Sequence, residues 1–113
     1  MRSTETAREN EISMRAKWKA MSPTERDVWI EQNIMNRPGK YTTDRLAALE
    51  LYEAMVERGC VISLYRESGN PQHCAIWDAE KPARIIKTDA ETIPDAIGEA
   101  AAIYISTYGN KKE

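Results

Sequence analysis

Cys60, His73 and Cys74 are the clustered soft side chains of this 113-residue chain, and they are the first candidates for metal binding or nucleophilic chemistry. A zinc site needs three or four such ligands converging on one point. The chain has a single His, and His73 and Cys74 are neighbours in a segment that reads as a strand, so they face opposite sides of a sheet. A Cys–His catalytic pair needs a third, orienting group and a shared face. Cys74 fails that test against His73, and Cys60 meets it only if the strand register brings the two together. Gly69 and Gly98 stand alone, with no dinucleotide or phosphate-loop pattern around them. The expectation is two reduced, buried thiols and no catalytic residue, metal or cofactor.

The acids form the more specific pattern. Glu50, Glu53 and Glu57 fall at i, i+3 and i+7, on one side of a predicted helix. Asp89, Glu91, Asp95 and Glu99 gather around the start of the last predicted helix. A solvated helix face, with acids complementing a helix dipole, is one explanation. A docking surface for a basic partner is the other, because opposite fields steer association. The formal net charge of -2 divides into +2 over residues 1–43 and -4 over residues 44–113. An acidic body lacks the basic footprint of a nucleic-acid binder. The α-β-β-β-α order matches double-stranded-RNA-binding domains, but acids at the start of the last helix would repel phosphate.

These residues must be positioned by a short set of elements. Residues 12–21 are expected to form a short helix, and the polar residues 1–11 before them are either a frayed lead or a helix start. Ser22-Pro23-Thr24-Glu25 starts a second helix: Ser22 and Glu25 make a capping box and Pro23 takes the first helical position. That helix should stop near Arg37-Pro38-Gly39. Thr42 or Thr43 caps a helix over 44–58, with Asp44 as its first-turn acid and Leu49, Tyr52, Met55 and Val56 on its apolar face. Gly59 ends it. The period then changes to two. Strands are expected at 60–65, 73–78 and 83–87, joined by connections too short for parallel crossovers. Thr92 or Ile93 caps the last helix, in which Ile97, Ala101, Tyr104 and Tyr108 share a face.

Both faces of the predicted sheet are apolar. Ile62, Leu64, Cys74, Ile76 and Ile85 form one set, and Val61, Tyr65, Ala75, Trp77 and Ile86 the other. Both faces then need cover. Helices 44–58 and 93–108 would cover one, with Gly98 and Ala100–Ala102 allowing close approach to the sheet. The segment 12–35, with Trp18, Val28, Trp29, Ile30 and Ile34, is the natural cover for the other; a second chain is the alternative. Trp29 and Trp77 are read as core, with a weaker case for Trp18 between Lys17 and Lys19. The expected fold is α+β: a three-layer α/β/α sandwich with a three-stranded antiparallel sheet. Residues 1–40 form a helical segment packing on the sheet, 41–109 the α-β-β-β-α core and 110–113 a polar tail. Composition agrees with one globular domain, at 42% hydrophobic and 30% charged residues. No apolar run suits a membrane span, and the first residues carry no secretory signal.

Tyr41-Thr42-Thr43-Asp44 leading into Ala47-Ala48, Ile76-Trp77-Asp78 in a strand, and Ala90-Glu91-Thr92-Ile93-Pro94-Asp95-Ala96-Ile97 resemble the phage ABA sandwich domain family. Glu25-Arg26-Asp27 followed by Ile34-Met35 is similar to the family's lead-in segment. The resemblance covers roughly residues 21–106. It departs at Gly98-Glu99, where the family often has a Cys and a basic residue. It implies a small phage or prophage protein in the host cytoplasm, in a family with no agreed catalytic set. The functional expectation is a non-catalytic accessory protein that binds a host protein with a basic surface and inhibits an anti-phage defence system. The alternatives are a nucleotide- or nucleic-acid-binding module using a pocket between layers, and an oligomeric structural accessory protein that assembles through an apolar sheet face.

Overall fold

The computed structural model describes residues 2–66 and 71–109, with side chains from residue 6 onward. The expected tail at 110–113 and most of the loop after the first strand lie outside the described residues. The elements are α1 (Arg2–Ala20), α2 (Pro23–Ile30), α3 (Arg45–Glu57), β1 (Cys60–Arg66), β2 (Gln72–Asp78), β3 (Ile85–Ala90) and α4 (Ile93–Tyr108). The fold class is α+β, and its body runs α-β-β-β-α. The sheet order is β1-β2-β3, antiparallel throughout.

Local signals account for most boundaries. Ser22 Oγ accepts from Glu25 N–H at 3.2 Å, and Glu25 Oε1 accepts from Ser22 N–H at 2.8 Å, with Pro23 inside the start. The chain continues past Ile30 as a π-helical stretch, Glu31–Met35, closed by Asn36 N–H donating to Glu31 O at 2.7 Å. Asn36 has φ 60, the left-handed conformation that ends the helix before Arg37 is reached. Gly59, at φ 95, is the expected stop of α3. Thr92 Oγ1 accepts from Asp95 N–H and caps α4.

Three local expectations are corrected. Asp44, not Thr42 or Thr43, is the cap of α3, accepting from Ala47 N–H at 3.0 Å. Thr42 is instead buried, its N–H and Oγ1 both donating to Asp27 Oδ1 at 2.9 and 2.8 Å. Asp27 therefore spends its charge on a tertiary contact as well as on its helix. The buried residues of α3 are Ala48, Leu51 and Met55, while Leu46, Leu49 and Val56 are exposed. Apolar residues run most of the way around this helix, so periodicity alone did not select the inward side. β3 starts two residues late because Asp78 organises a turn: its Oδ1 accepts from Glu80 and Lys81 N–H, and pairing begins only at Trp77↔Ile85. That shift puts Ile86 beside Ile76 and Ile62, and Ile85 beside Trp77 and Val61, exchanging the two isoleucines between the expected faces.

The layer order also differs. The chain has three layers, but they run sheet, then α3 and α4, then α1 and α2. α1 packs on α4 rather than on the second face of the sheet, while α4 packs on β2 and β3, and α3 on β1. The reason lies in α4, whose buried residues include Pro94, every residue from Ala96 to Ile105, and Thr107. A helix apolar around its whole circumference needs cover on both sides. The sheet supplies one side, and Met14, Trp18 and Ile30 on the N-terminal helices supply the other. Trp18 is thus the most buried tryptophan, despite Lys17 and Lys19, while Trp29 and Trp77 are partly exposed. Gly98 serves this outer interface rather than the sheet. A Cβ there would meet Thr42 Cγ2 at 2.9 Å, the Trp18 ring at 3.3 Å and Ile30 Cδ1 at 3.4 Å.

Arg26 ties the outer layer down. Its guanidinium lies over the Trp18 ring, 5.1 Å from the centroid, donates to Trp18 O at 3.0 Å and bridges both Asp95 oxygens at 3.2 and 3.3 Å. Burial pushes the Asp95 carboxyl above its ordinary range, and Arg26 opposes that shift. Arg15 joins α1 to the sheet edge, pairing with Glu11 and donating to Lys87 O at 3.1 Å.

Two outcomes test this interface. Gly98→Ala should cost about 1–2 kcal/mol despite alanine's better helix propensity, because Thr42 is held by Asp27 and cannot yield; a raised Tm would show that the layers relax. Glu99 is buried within the same region, and burial raises its pKa above 4.5 while Lys19 and Arg15 oppose the shift. From 4.5 upward to that raised value the folded chain binds more protons than the unfolded one, so stability falls as pH rises. Glu99→Gln should raise Tm at pH 7 by a few degrees and flatten the Tm–pH curve through that window. A lower Tm at pH 7 would mean that the charge contacts outweigh burial.

Candidate functional site

With every described helix committed to one side, no described element covers the second face of the sheet. Its rows follow from the register: Val61, Trp77 and Ile85; then Ser63, Ala75 and Lys87; then Tyr65, His73 and Asp89. Val61, Tyr65 and Ile85 are 38%, 54% and 37% exposed. Side chains directly opposite one another on a sheet interact. In the third row they form a stack: the Tyr65 and His73 rings lie 4.7 Å apart at 22°, and His73 Nδ1 is 2.5 Å from Asp89 Oδ1. Asp89 thereby fixes the imidazole, which in turn fixes the tyrosine. The result is an apolar platform at one end and an ordered polar–aromatic row at the other.

The expected acids divide. Glu50, Glu53 and Glu57 are exposed on the outer side of α3, where Leu46 and Leu49 are also exposed. Glu50 pairs with Arg37 at 3.0 Å, and that contact raises the guanidinium pKa. Asp89 and Glu91 are exposed at the end of β3. Asp95 and Glu99, also expected on a docking surface, face inward toward Arg26 and α1 instead. Their spacing around the helix start could not show this, because it does not say which side α1 will cover.

The thiols are placed as expected. Cys60 and Cys74 are buried and free, and burial pushes the Cys74 thiol up to about 12. Cys60 shares a hydrogen bond with Tyr104, and burial raises both pKa values. His73 stands on the open face and Cys74 on the helix-covered face. Cys60 lies at the opposite end of the sheet from His73, paired with Asp78, so the register rules out a Cys60–His73 pair. Among the described residues no group of three potential ligands could hold a metal ion.

Sequence reasoning missed a cleft of about 600 Å³ at the C-terminal end of α3 and α4. Glu57, Arg58, Asp78, Arg84, Tyr104 and Tyr108 are among its lining residues. Arg84 lies over the Tyr108 ring, 5.4 Å from its centroid, and the two tyrosine rings are 5.2 Å apart. The signal was the expected face of Tyr104 and Tyr108 on α4, but nothing in the sequence brought the Asp78–Arg84 turn beside it. No helix of the described residues is long and apolar enough to cross a membrane. No family model, curated protein or solved structure matches this chain.

Proposed function

We propose that this chain is a non-catalytic accessory protein of a phage or prophage that acts by binding a host protein, as an inhibitor of an anti-phage defence system. The observation that carries the binding reading is the open sheet face. Val61, Tyr65 and Ile85 are exposed together around Trp77 on a rigid antiparallel scaffold. Clustered exposed apolar and aromatic groups are the mark of a docking surface. Exposed acids at its margin, Asp89 and Glu91, and on α3, Glu50, Glu53 and Glu57, suit a partner with a basic surface. The resemblance of residues 21–106 to phage ABA sandwich domains supports the biological setting, with the host cytoplasm as the place of action.

A second reading, a nucleotide-binding module, is favoured by the cleft that brings Arg58 and Arg84 beside Tyr104 and Tyr108. Guanidinium groups bind phosphate and aromatic rings stack on bases. Nucleotides should then raise the Tm of the wild-type chain but not of Arg84→Ala.

The inhibitor reading is tested by phage plaquing on bacteria that carry individual defence systems, with and without this chain. The wild type should restore plaquing against at least one system, and the Val61→Lys/Ile85→Lys double variant should lose that effect while keeping its fold. Failure against every system would end the inhibitor reading; full activity of the double variant would remove the sheet face from it. Reversing Glu50, Glu53 and Glu57 to Lys should change stability by no more than ~0.5 kcal/mol each, since all three are exposed. It should also weaken partner binding; undiminished binding would remove α3 from the contact.

A further inference from the structure

The two outer edges of the sheet are not alike. Ala79 N–H donates to Gly59 O at 2.9 Å and Asp78 N–H to Arg84 O at 3.3 Å. In an antiparallel ladder these bonds decide which backbone groups face which neighbour. Val61, Ser63 and Tyr65 turn their N–H and C=O groups toward β2. Cys60, Ile62, Leu64 and Arg66 therefore turn theirs outward. On the other side of the sheet, Ile85, Lys87 and Asp89 are the outward residues of β3. That edge is guarded: Arg15 occupies Lys87 O at 3.1 Å, and two of its three outward residues are charged. Charge and cover of this kind protect edge strands from pairing. The β1 edge has seven residues, with Arg66 at its end as the one charge.

We infer that the β1 edge pairs antiparallel with the β1 edge of a second copy, about a two-fold axis at Ser63, to make a continuous six-stranded sheet. The strand is self-complementary in that register. All seven residues overlap, with Ile62 opposite the partner's Leu64 on the helix-covered side and Val61 opposite the partner's Tyr65 on the open side. Both of these pairings set apolar side chains together, and Leu64, Val61 and Tyr65 are all more than a third exposed in the single chain, while Cys60 faces the partner's Arg66 and Ser63 faces itself. A two-fold interface requires this kind of self-match, which an unrelated extended peptide would have to reproduce by its own sequence. The helix above the strand agrees. Ala54, Glu57 and Arg58 line the cleft shared with α4, so that flank of α3 faces α4. At 3.6 residues per turn Leu49 and Val56 fall on the opposite flank, above the β1 edge, and both are about half exposed. Pairing would bring these flanks of two copies together over the joined strands and align the two open faces into one surface.

The full chain should run at twice 12.9 kDa in sedimentation equilibrium at micromolar concentration. Leu64→Pro removes an outward N–H without removing a bond to β2, so it should give a monomer with an unchanged circular dichroism spectrum. Ser63→Cys should form an intermolecular disulfide under mild oxidation, because the two-fold places this residue opposite itself, while the wild type, with buried thiols, should not. A wild-type chain that stays monomeric overturns the inference. A dimer that Leu64→Pro leaves intact, or in which Ser63→Cys does not cross-link, assembles through another surface and also overturns it. If Leu64→Pro fails to fold, the Ser63→Cys result decides. None of these measurements depends on the host partner, so this inference and the proposed function can fail separately.

Discussion

The structure depends on burying α4 on every side. Its sequence, Ile93–Tyr108, presents isoleucine, alanine, glycine and tyrosine around the full circumference, and no single sheet can shield all of them. Fully burying an isoleucine is worth about 1.5–3 kcal/mol, so leaving Ile97, Ile103 or Ile105 in water would cost a large part of a small domain's stability. Two separate partners meet the requirement. The sheet takes one side through Cys74, Ile76 and Ile86, and the N-terminal helices take the other through Met14, Trp18 and Ile30. Gly98 and the run Ala100–Ala102 let these layers approach closely.

Polar contacts then fix the orientation of a packing that is otherwise non-directional. Arg26 reaches the end of α1, the Trp18 ring and Asp95 at the start of α4. Asp27, the next residue, holds the backbone and side chain of Thr42 just before α3. Thr88 donates from the middle of β3 to Ala96 O at 3.0 Å and locks the first turn of α4 to the sheet. The Arg26–Asp95 and Asp27–Thr42 contacts join elements that are not neighbours in the chain, the Trp18 and Ala96 contacts pin consecutive elements, and each satisfies a group that burial would otherwise penalise.

The same constraint leaves open the sheet face on which the proposed function rests. Because α1 and α2 are used to cover α4, nothing remains among the described elements to cover the second face of the sheet. An apolar pattern on that face, which as a sequence reads as a demand for cover, becomes an exposed platform instead. The ordered Tyr65–His73–Asp89 row and the unguarded β1 edge adjoin it. An exposed apolar face of this kind supports the binding role proposed above, and it follows from the packing of one helix.

Elements whose signals are local were legible without a structure: the Ser22–Glu25 capping box, the Gly59 stop, the start of the last helix at Thr92 or Ile93, three antiparallel strands, and two buried thiols. Of the expected docking acids, Glu50, Glu53, Glu57, Asp89 and Glu91 are exposed, whereas Asp95 and Glu99 turn inward. Short-range features are readable because a cap or a turn is satisfied by residues three or four positions away. Which side of the body α1 would choose, which isoleucine of β3 would face inward and whether an acid on α4 would meet water were not readable. These depend on competition between apolar surfaces distant in the chain, and hydrophobic attraction carries no address. The winner is the pairing that buries most area with its polar groups satisfied, a comparison that exists only once the chain has folded.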